Sequence, residues 1–190
     1  MLSCYRNPDQ METFAQAREF VENPRFERDR ENILANLVLE NIDSPIRKLV
    51  AGMSALPYCF TIQCCYGHFV CSANQAPDNL EPVPVNAIGP VKYRIAYIAL
   101  CLENSTHGRL FRAALEQIPV NDPDYIQFGS PQWFWKRYFN SFALQVEPLQ
   151  FVNKDVATVE CCEARYIQRV RDRFFAHLAE LVQAHKTTPS

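Results

Sequence analysis

The spacing of apolar residues changes character twice along the chain. Up to Leu56 they recur at three- and four-residue steps, the rhythm of helices with one buried face. Met11, Phe14, Phe20 and Val21 predict a first helix ending near Asn23-Pro24. Ile33, Leu34, Leu37, Val38 and Ile42 predict a second over 25–42. Ser44-Pro45 is a good N-cap and first-turn pair for a third over 45–56, which would bury Ile46, Leu49, Val50 and Met53.

From Tyr58 the period shortens to two. In Tyr58–Tyr66 alternation sets Phe60, Ile62 and Cys64 on one side and Cys59, Thr61, Gln63 and Cys65 on the other, and Gly67 permits a turn. The stretch 72–90 holds four prolines with Asn, Asp and Ala, and predicts a long irregular excursion. Lys92–Leu102 is the strongest strand signal, apolar on both faces near its end, as a strand covered on both sides would be. It leads through Glu103–Arg109 into a helix reaching Ile118. Further elements are a short strand Tyr125–Phe128, an aromatic helical turn Pro131–Phe139 and an alternating strand Phe142–Glu147 stopped by Pro148.

The last third predicts a long amphipathic helix over 157–185, with Val159, Cys162, Tyr166, Val170, Phe174, Leu178 and Leu181 on its buried stripe. At about 1.5 Å per residue it would span roughly 40 Å. Together these elements predict an α/β (α+β) fold in a single domain over 1–190. Helices over 11–56 cover a core over 58–150 built on a mixed β-sheet, and the C-terminal helix packs against it.

Composition narrows the function classes. A chain of 190 residues supports one hydrophobic core. With five glycines and no GxGxxG or P-loop pattern, Gly-rich phosphate cradles are nearly excluded. The net charge of −2 disfavours a nucleic-acid partner, although Arg165, Arg169, Arg171 and Arg173 cluster near the C-terminus, where a solvated helix face is the ordinary reading. No apolar run approaches the ~18 residues of a membrane span, and the first residues hold no secretory apolar core. Eight cysteines in such a chain are expected to be reduced, in the cytoplasm.

Four segments could carry chemistry. Cys59, Cys64, Cys65, His68 and Cys71 include the close spacing Cys65-x2-His68-x2-Cys71, yet no paired second ligand set follows, and Cys64 and Cys65 should point to opposite faces. Buried thiols are therefore expected in preference to zinc, and no metal residue is assigned. Cys65 at the strand end beside His68 is a candidate reactive thiol with a neighbouring imidazole, so these two are the candidate catalytic residues. The Glu103–Arg109 loop follows a central strand, where free amides and Arg109 would favour a carboxylate or phosphate, with His107 nearby. Finally Thr61, Gln63, Gln127, Gln145 and Glu147 are polar positions on strands, which converge either on a pocket or on an internal network.

Within the run from Asn41 to Cys71, Phe60-Thr61-Ile62-Gln63-Cys64-Cys65-Tyr66-Gly67-His68 resembles the Thr-Thr-Ser-Ser-Cys-Ser-Gly-Arg element of the third-step methyltransferases of tRNA wybutosine synthesis. Thr61, Cys65 and Gly67 match, and Asp43, Ile46 and Leu49 stand at consistent offsets before them. Val146-Glu147-Pro148 resembles a later Glu-Pro element of that family. Gln63-Cys64 replaces two serines, His68 replaces an arginine, and the family's later histidine-bearing stretch has no counterpart. The resemblance implies a related fold and S-adenosylmethionine as the ligand.

The expected function is thus binding of a small polar or nucleotide-like molecule. Its site would combine Cys65 and His68 with Thr61, Gln63, Gly67, Glu103, His107, Arg109, Gln127 and Glu147. The competing expectation is a homodimer or other protein interface formed by the aromatic 133–139 segment and the C-terminal helix.

Overall fold

The structure is a computed structural model, and it describes residues 16–151 and 154–187. The chain is an α/β single domain. In chain order it runs α1 (Phe26–Ala35), α2 (Arg47–Ser54), β1 (Cys59–Cys65), β2 (His68–Val70), β3 (Pro90–Arg94), β4 (Ala96–Leu102) and α3 (Thr106–Leu115). Then come β5 (Ile126–Gly129), α4 (Gln132–Arg137), β6 (Ser141–Val146), β7 (Val156–Glu160) and α5 (Cys161–Thr187).

The strands form two sheets, β1-β4-β6-β5 and β2-β3-β7, in which every described pairing is antiparallel rather than mixed. The predicted strand Lys92–Leu102 is divided between them at Ile95. Its first half alternates buried Val91 and Tyr93 with exposed Lys92 and Arg94, whereas the second half is buried on both faces except at Tyr97. Tyr93 holds the corner, accepting from the Ala96 N–H at 2.9 Å and donating to the Val146 carbonyl at 2.7 Å.

The C-terminal helix begins at Cys161 rather than at Ala157. Residues Val156–Glu160 instead form β7, pairing with β3 from Pro90↔Glu160 to Arg94↔Val156. The buried stripe of α5 shifts accordingly: Cys161 is buried and Cys162 exposed, and Ala164, Ile167, Val170, Phe174, Leu178 and Val182 face the core. This stripe packs on α2 and on strands of both sheets.

The N-terminal cover is less helical than its spacing predicts. Met11 and Phe14 lie outside the described residues. Residues 16–23 carry no regular structure and are tied down by side chains: the Val21 N–H donates to Asn140 Oδ1, Asn140 Nδ2 returns a bond to the Val21 carbonyl, each at 2.9 Å, and the Arg18 N–H donates to Ser130 Oγ. Phe20 lies edge-on against Phe142. The second predicted helix keeps only α1 and a 3-10 turn at Leu39–Asn41, and Ser44 opens a 3-10 turn without a side-chain cap. The excursion over 72–90 is irregular up to Gly89, with Pro90 already in β3, and it returns to α5, where the Val83 N–H donates to Gln168.

Candidate functional site

β1 ends at Cys65, and two residues later β2 begins at His68 in the other sheet. The turn between them needs Gly67, whose φ is +88° and where a Cβ would stand 2.7 Å from the Ala96 Cβ. A glycine accepts that backbone without the left-handed penalty. Arg171 of α5, only 3% exposed, donates from beneath to the Gly67 carbonyl at 2.9 Å. Its guanidinium lies 4.0 Å from the centre of the Tyr66 ring and pairs with Asp172 at 2.8 Å.

This turn brings three side chains to one place. Asp43, just before the turn into α2, accepts the Tyr66 N–H at 2.7 Å, and its carboxylate lies 3.4 Å from His68 Nε2. The Cys65 sulfur, one carboxylate oxygen of Asp43 and one ring nitrogen of His68 all fall within 4.8 Å of one another. Each donor is also fixed from outside. The Gly67 N–H points at Cys65 Sγ at 3.4 Å, and His68 Nδ1 lies 3.2 Å from the Asn79 carbonyl, which makes Nδ1 the protonated nitrogen and leaves Nε2 facing the cluster. Cys65 and His68 are buried, while Asp43 stays partly open to solvent.

The electrostatics follow from that packing. Burial by itself would lower the His68 pKa, but hydrogen bonds to Asp43 and Cys65 reverse the effect and push it up to about 10. Burial would raise the Asp43 carboxyl, yet the bonds from His68 and the Tyr66 N–H outweigh it and hold the group below the usual carboxylate value. Burial pushes the neighbouring Cys64 thiol up to about 12, with the charges of Asp43 and Cys65 adding to it. The Asp43 carboxylate and the Cys65 sulfur thus both favour a proton on the His68 ring. The same three donors are of the types that hold zinc-class metals.

Only part of the expected site assembles here. A β-bulge between Thr61 and Gln63 shifts the register, so that Thr61 stands opposite Leu100 and Gln63 opposite Ala99. The bulge puts Thr61 and Gln63 on opposite faces, and the Thr61 hydroxyl turns to the Met53 sulfur at 3.8 Å under α2. Glu103, His107 and Arg109 are separated from the cluster by the length of β1, because Cys59 pairs with Leu102 and Cys65 with Tyr97. That is roughly 20 Å at about 3.3 Å per residue. There Ser105 Oγ caps α3 by accepting from the Gly108 N–H, and Arg109 lies over the Phe20 ring. His107 stacks on Tyr58 beside a cavity of about 160 Å³ that His185 and Lys186 also line.

Gln127 and Glu147 join an internal network. Gln127 Nε2 donates to the Glu147 carbonyl, while the buried Glu147 carboxylate accepts from Gln145 and from the Lys154 N–H. In register, Cys65, Tyr97, Gln145 and Gln127 stand in one row across the four strands. A larger cavity, about 410 Å³, is lined by Asp122, Tyr166, Arg169, Asp172 and Arg173. Tyr66 links it to the cluster, since its N–H rests on Asp43 and its hydroxyl donates to Asp172 at 2.8 Å.

Asp43, Asn79 and Arg171 were not among the expected site residues. Asp43 has a signal in its consistent offset before Cys65 in the resembling segment, and the clustering of Arg171 with its neighbours predicts a solvated helix face, whereas it is buried at 3% exposure. Asn79 enters from the irregular excursion, a position that no local spacing marks, and Arg171 from the buried side of α5. Comparison of the chain with protein-family models, with curated proteins and with solved structures finds no match.

Proposed function

We propose that this chain binds a small polar ligand where the Cys65–His68 turn meets Asp43, with the cavity along α5 as the ligand's seat. The observation that carries the reading is the convergence of Asp43, Cys65 and His68, three chemically active groups fixed by backbone partners in a largely buried corner. Structural proteins rarely bury such a set without use, because each polar group must be desolvated and paired. In this reading Asp43 orients the His68 ring, and Nε2 faces the ligand's polar group. The mixed Arg and Asp lining of the cavity suits a ligand bearing both charges.

The ligand class we favour is S-adenosylmethionine, on the resemblance alone. Of its matching positions Cys65 and Gly67 lie at the turn, with Asp43 of the consistent offsets beside them, while Thr61 turns to Met53. A nucleotide-like ligand is the wider class. The seven described cysteines are all free, in keeping with a reducing compartment, and no described helix is long and apolar enough to cross a membrane.

A second reading has an observation of its own: Trp133 and Phe139 of the aromatic segment are 59% and 39% exposed, as at a dimer or partner surface. Thermal-shift measurement with S-adenosylmethionine and a nucleotide panel separates the two. Ligand at about one hundred times its Kd should stabilise by about 2.7 kcal/mol, and Asp43→Asn should abolish the shift. No shift across the panel, together with a concentration-dependent dimer, would transfer the case to the interface reading.

A further inference from the structure

We propose that Asp43, Cys65 and His68 form a mononuclear site for a divalent metal ion of the zinc class, with a fourth position left for water or ligand. The inference names a cofactor for the working site proposed above and rests on that reading for the ion's role.

The donor set is one carboxylate, one thiolate and one imidazole, and all three donor atoms already lie within 4.8 Å of one another. His68 Nε2 and the Asp43 oxygen are 3.4 Å apart, close to the spacing of two ligands at about 2.0–2.2 Å around a tetrahedral centre. The surroundings are those of ligands held ready. A metal-bound imidazole normally donates its other N–H to a carbonyl or carboxylate, and His68 Nδ1 has the Asn79 carbonyl at 3.2 Å. Cys65 Sγ has the Gly67 N–H, and Asp43 Oδ2 the Tyr66 N–H.

Charge points the same way. Binding would release the His68 Nε2 proton and the Cys65 thiol proton to solvent, and the resulting neutral imidazole, thiolate and carboxylate balance a doubly charged cation, so the buried centre would carry no net charge. Arg171 does not supply that balance, because its guanidinium is committed to Asp172 and to the Gly67 carbonyl. Three protein ligands leave one tetrahedral position, as in zinc sites that act on substrates rather than closed structural ones. Asp43 is the partly exposed member and marks the open side. Cys64 stays out because, as the strand neighbour of Cys65, it faces the other side of β1, and the clustered donors among the described residues are Asp43, Cys65 and His68.

Three measurements on the full chain, purified without a histidine tag, test this. Elemental analysis should find about one zinc-class ion per chain after exhaustive dialysis. Cobalt reconstitution should give a thiolate-to-metal charge-transfer band that Cys65→Ser removes and Cys162→Ser keeps. X-ray absorption of the zinc-loaded wild type, which needs no variant, should show one sulfur at about 2.3 Å among nitrogen and oxygen neighbours. Substoichiometric metal, a band surviving in Cys65→Ser, or two sulfurs around the ion would overturn the site. The ligand thermal shift in metal-free protein tells the two proposals apart. A shift without metal retains the ligand even where the ion fails its own three measurements; stoichiometric metal with no ligand shift retains the ion and removes the proposed function.

Discussion

Arg171 donates a 2.9 Å hydrogen bond to the carbonyl of Gly67, tying the middle of the C-terminal helix to the turn that joins the two sheets. The arginine is buried at 3% exposure, stacks 4.0 Å from the Tyr66 ring and lies 5.1 Å from Phe69. Its planar fork satisfies a carbonyl and a carboxylate at once, which a lysine could not do in the same plane. The orientation of Cys65 and His68 thus depends on a residue far along the chain.

Arg171→Met should therefore destabilise the fold by about 2–3 kcal/mol in urea denaturation, through the unpaired carbonyl and the lost stacking. The lower part of the range for buried pairs applies because Asp172 is 47% exposed and regains water. An unchanged midpoint would show that packing alone holds the turn.

Gly67→Ala faces two penalties. The φ of +88° costs about 1–2 kcal/mol for an L-residue, and the new Cβ would press on Ala96 at 2.7 Å. We expect a total of about 2–4 kcal/mol once overpacking is included. Gly89→Ala is the control, since φ is +91° there and nothing lies within 4 Å of its Cβ. Equal losses in the two variants would remove the steric part of the argument.

The parts of this fold legible in the sequence were those set by local period. The strand at Cys59–Cys65, the aromatic turn at Trp133–Trp135 and the long terminal helix all follow from spacing, to within a few residues. What spacing could not show was long-range. Lys92–Leu102 reads as one unbroken run of β-formers, and only the pairing of Val91 with Val159 and of Leu100 with Phe142 assigns its halves to different sheets. The bulge that separates Thr61 from Gln63 leaves no mark in a run of β-formers. The site was half legible for the same reason: Cys65, Gly67 and His68 are adjacent in sequence, while Asp43, Asn79 and Arg171 reach them through tertiary packing.

Thiol labelling should separate the cysteines sharply. Cys162 is exposed on α5. Cys59 is fully buried, and burial pushes its thiol up to about 12, while burial raises Cys101 as well. Thiols of that kind react slowly because the thiolate is the nucleophile. Alkylation of native protein followed by peptide mass spectrometry should mark Cys162 first and leave Cys59 and Cys101 unlabelled until denaturant is added. Labelling of Cys59 in step with Cys162 would mean that this end of β1 opens far more readily than its packing implies.

The pH dependence of stability should carry the signature of His185. Its ring lies 3.1 Å from the Tyr58 hydroxyl and edge-on to Phe111, and its pKa is lowered from 6.5, first by burial and then by repulsion from His107. A histidine whose folded pKa lies below its unfolded one takes up its proton more readily when the chain is unfolded. Stability from this source is therefore present above about pH 6.5 and is lost as pH falls below it. Between about pH 8 and pH 5 the wild type should lose stability more steeply than His185→Gln, which cannot titrate. His107→Gln should also soften the slope, by removing the repulsion while leaving burial in place. Proton NMR of the imidazole ring gives the independent reading: the His185 midpoint should lie below the ordinary 6.5 and should rise toward it in His107→Gln. Parallel pH profiles for wild type and His185→Gln would show that the ring is solvated in solution and that this corner is looser than its packing implies.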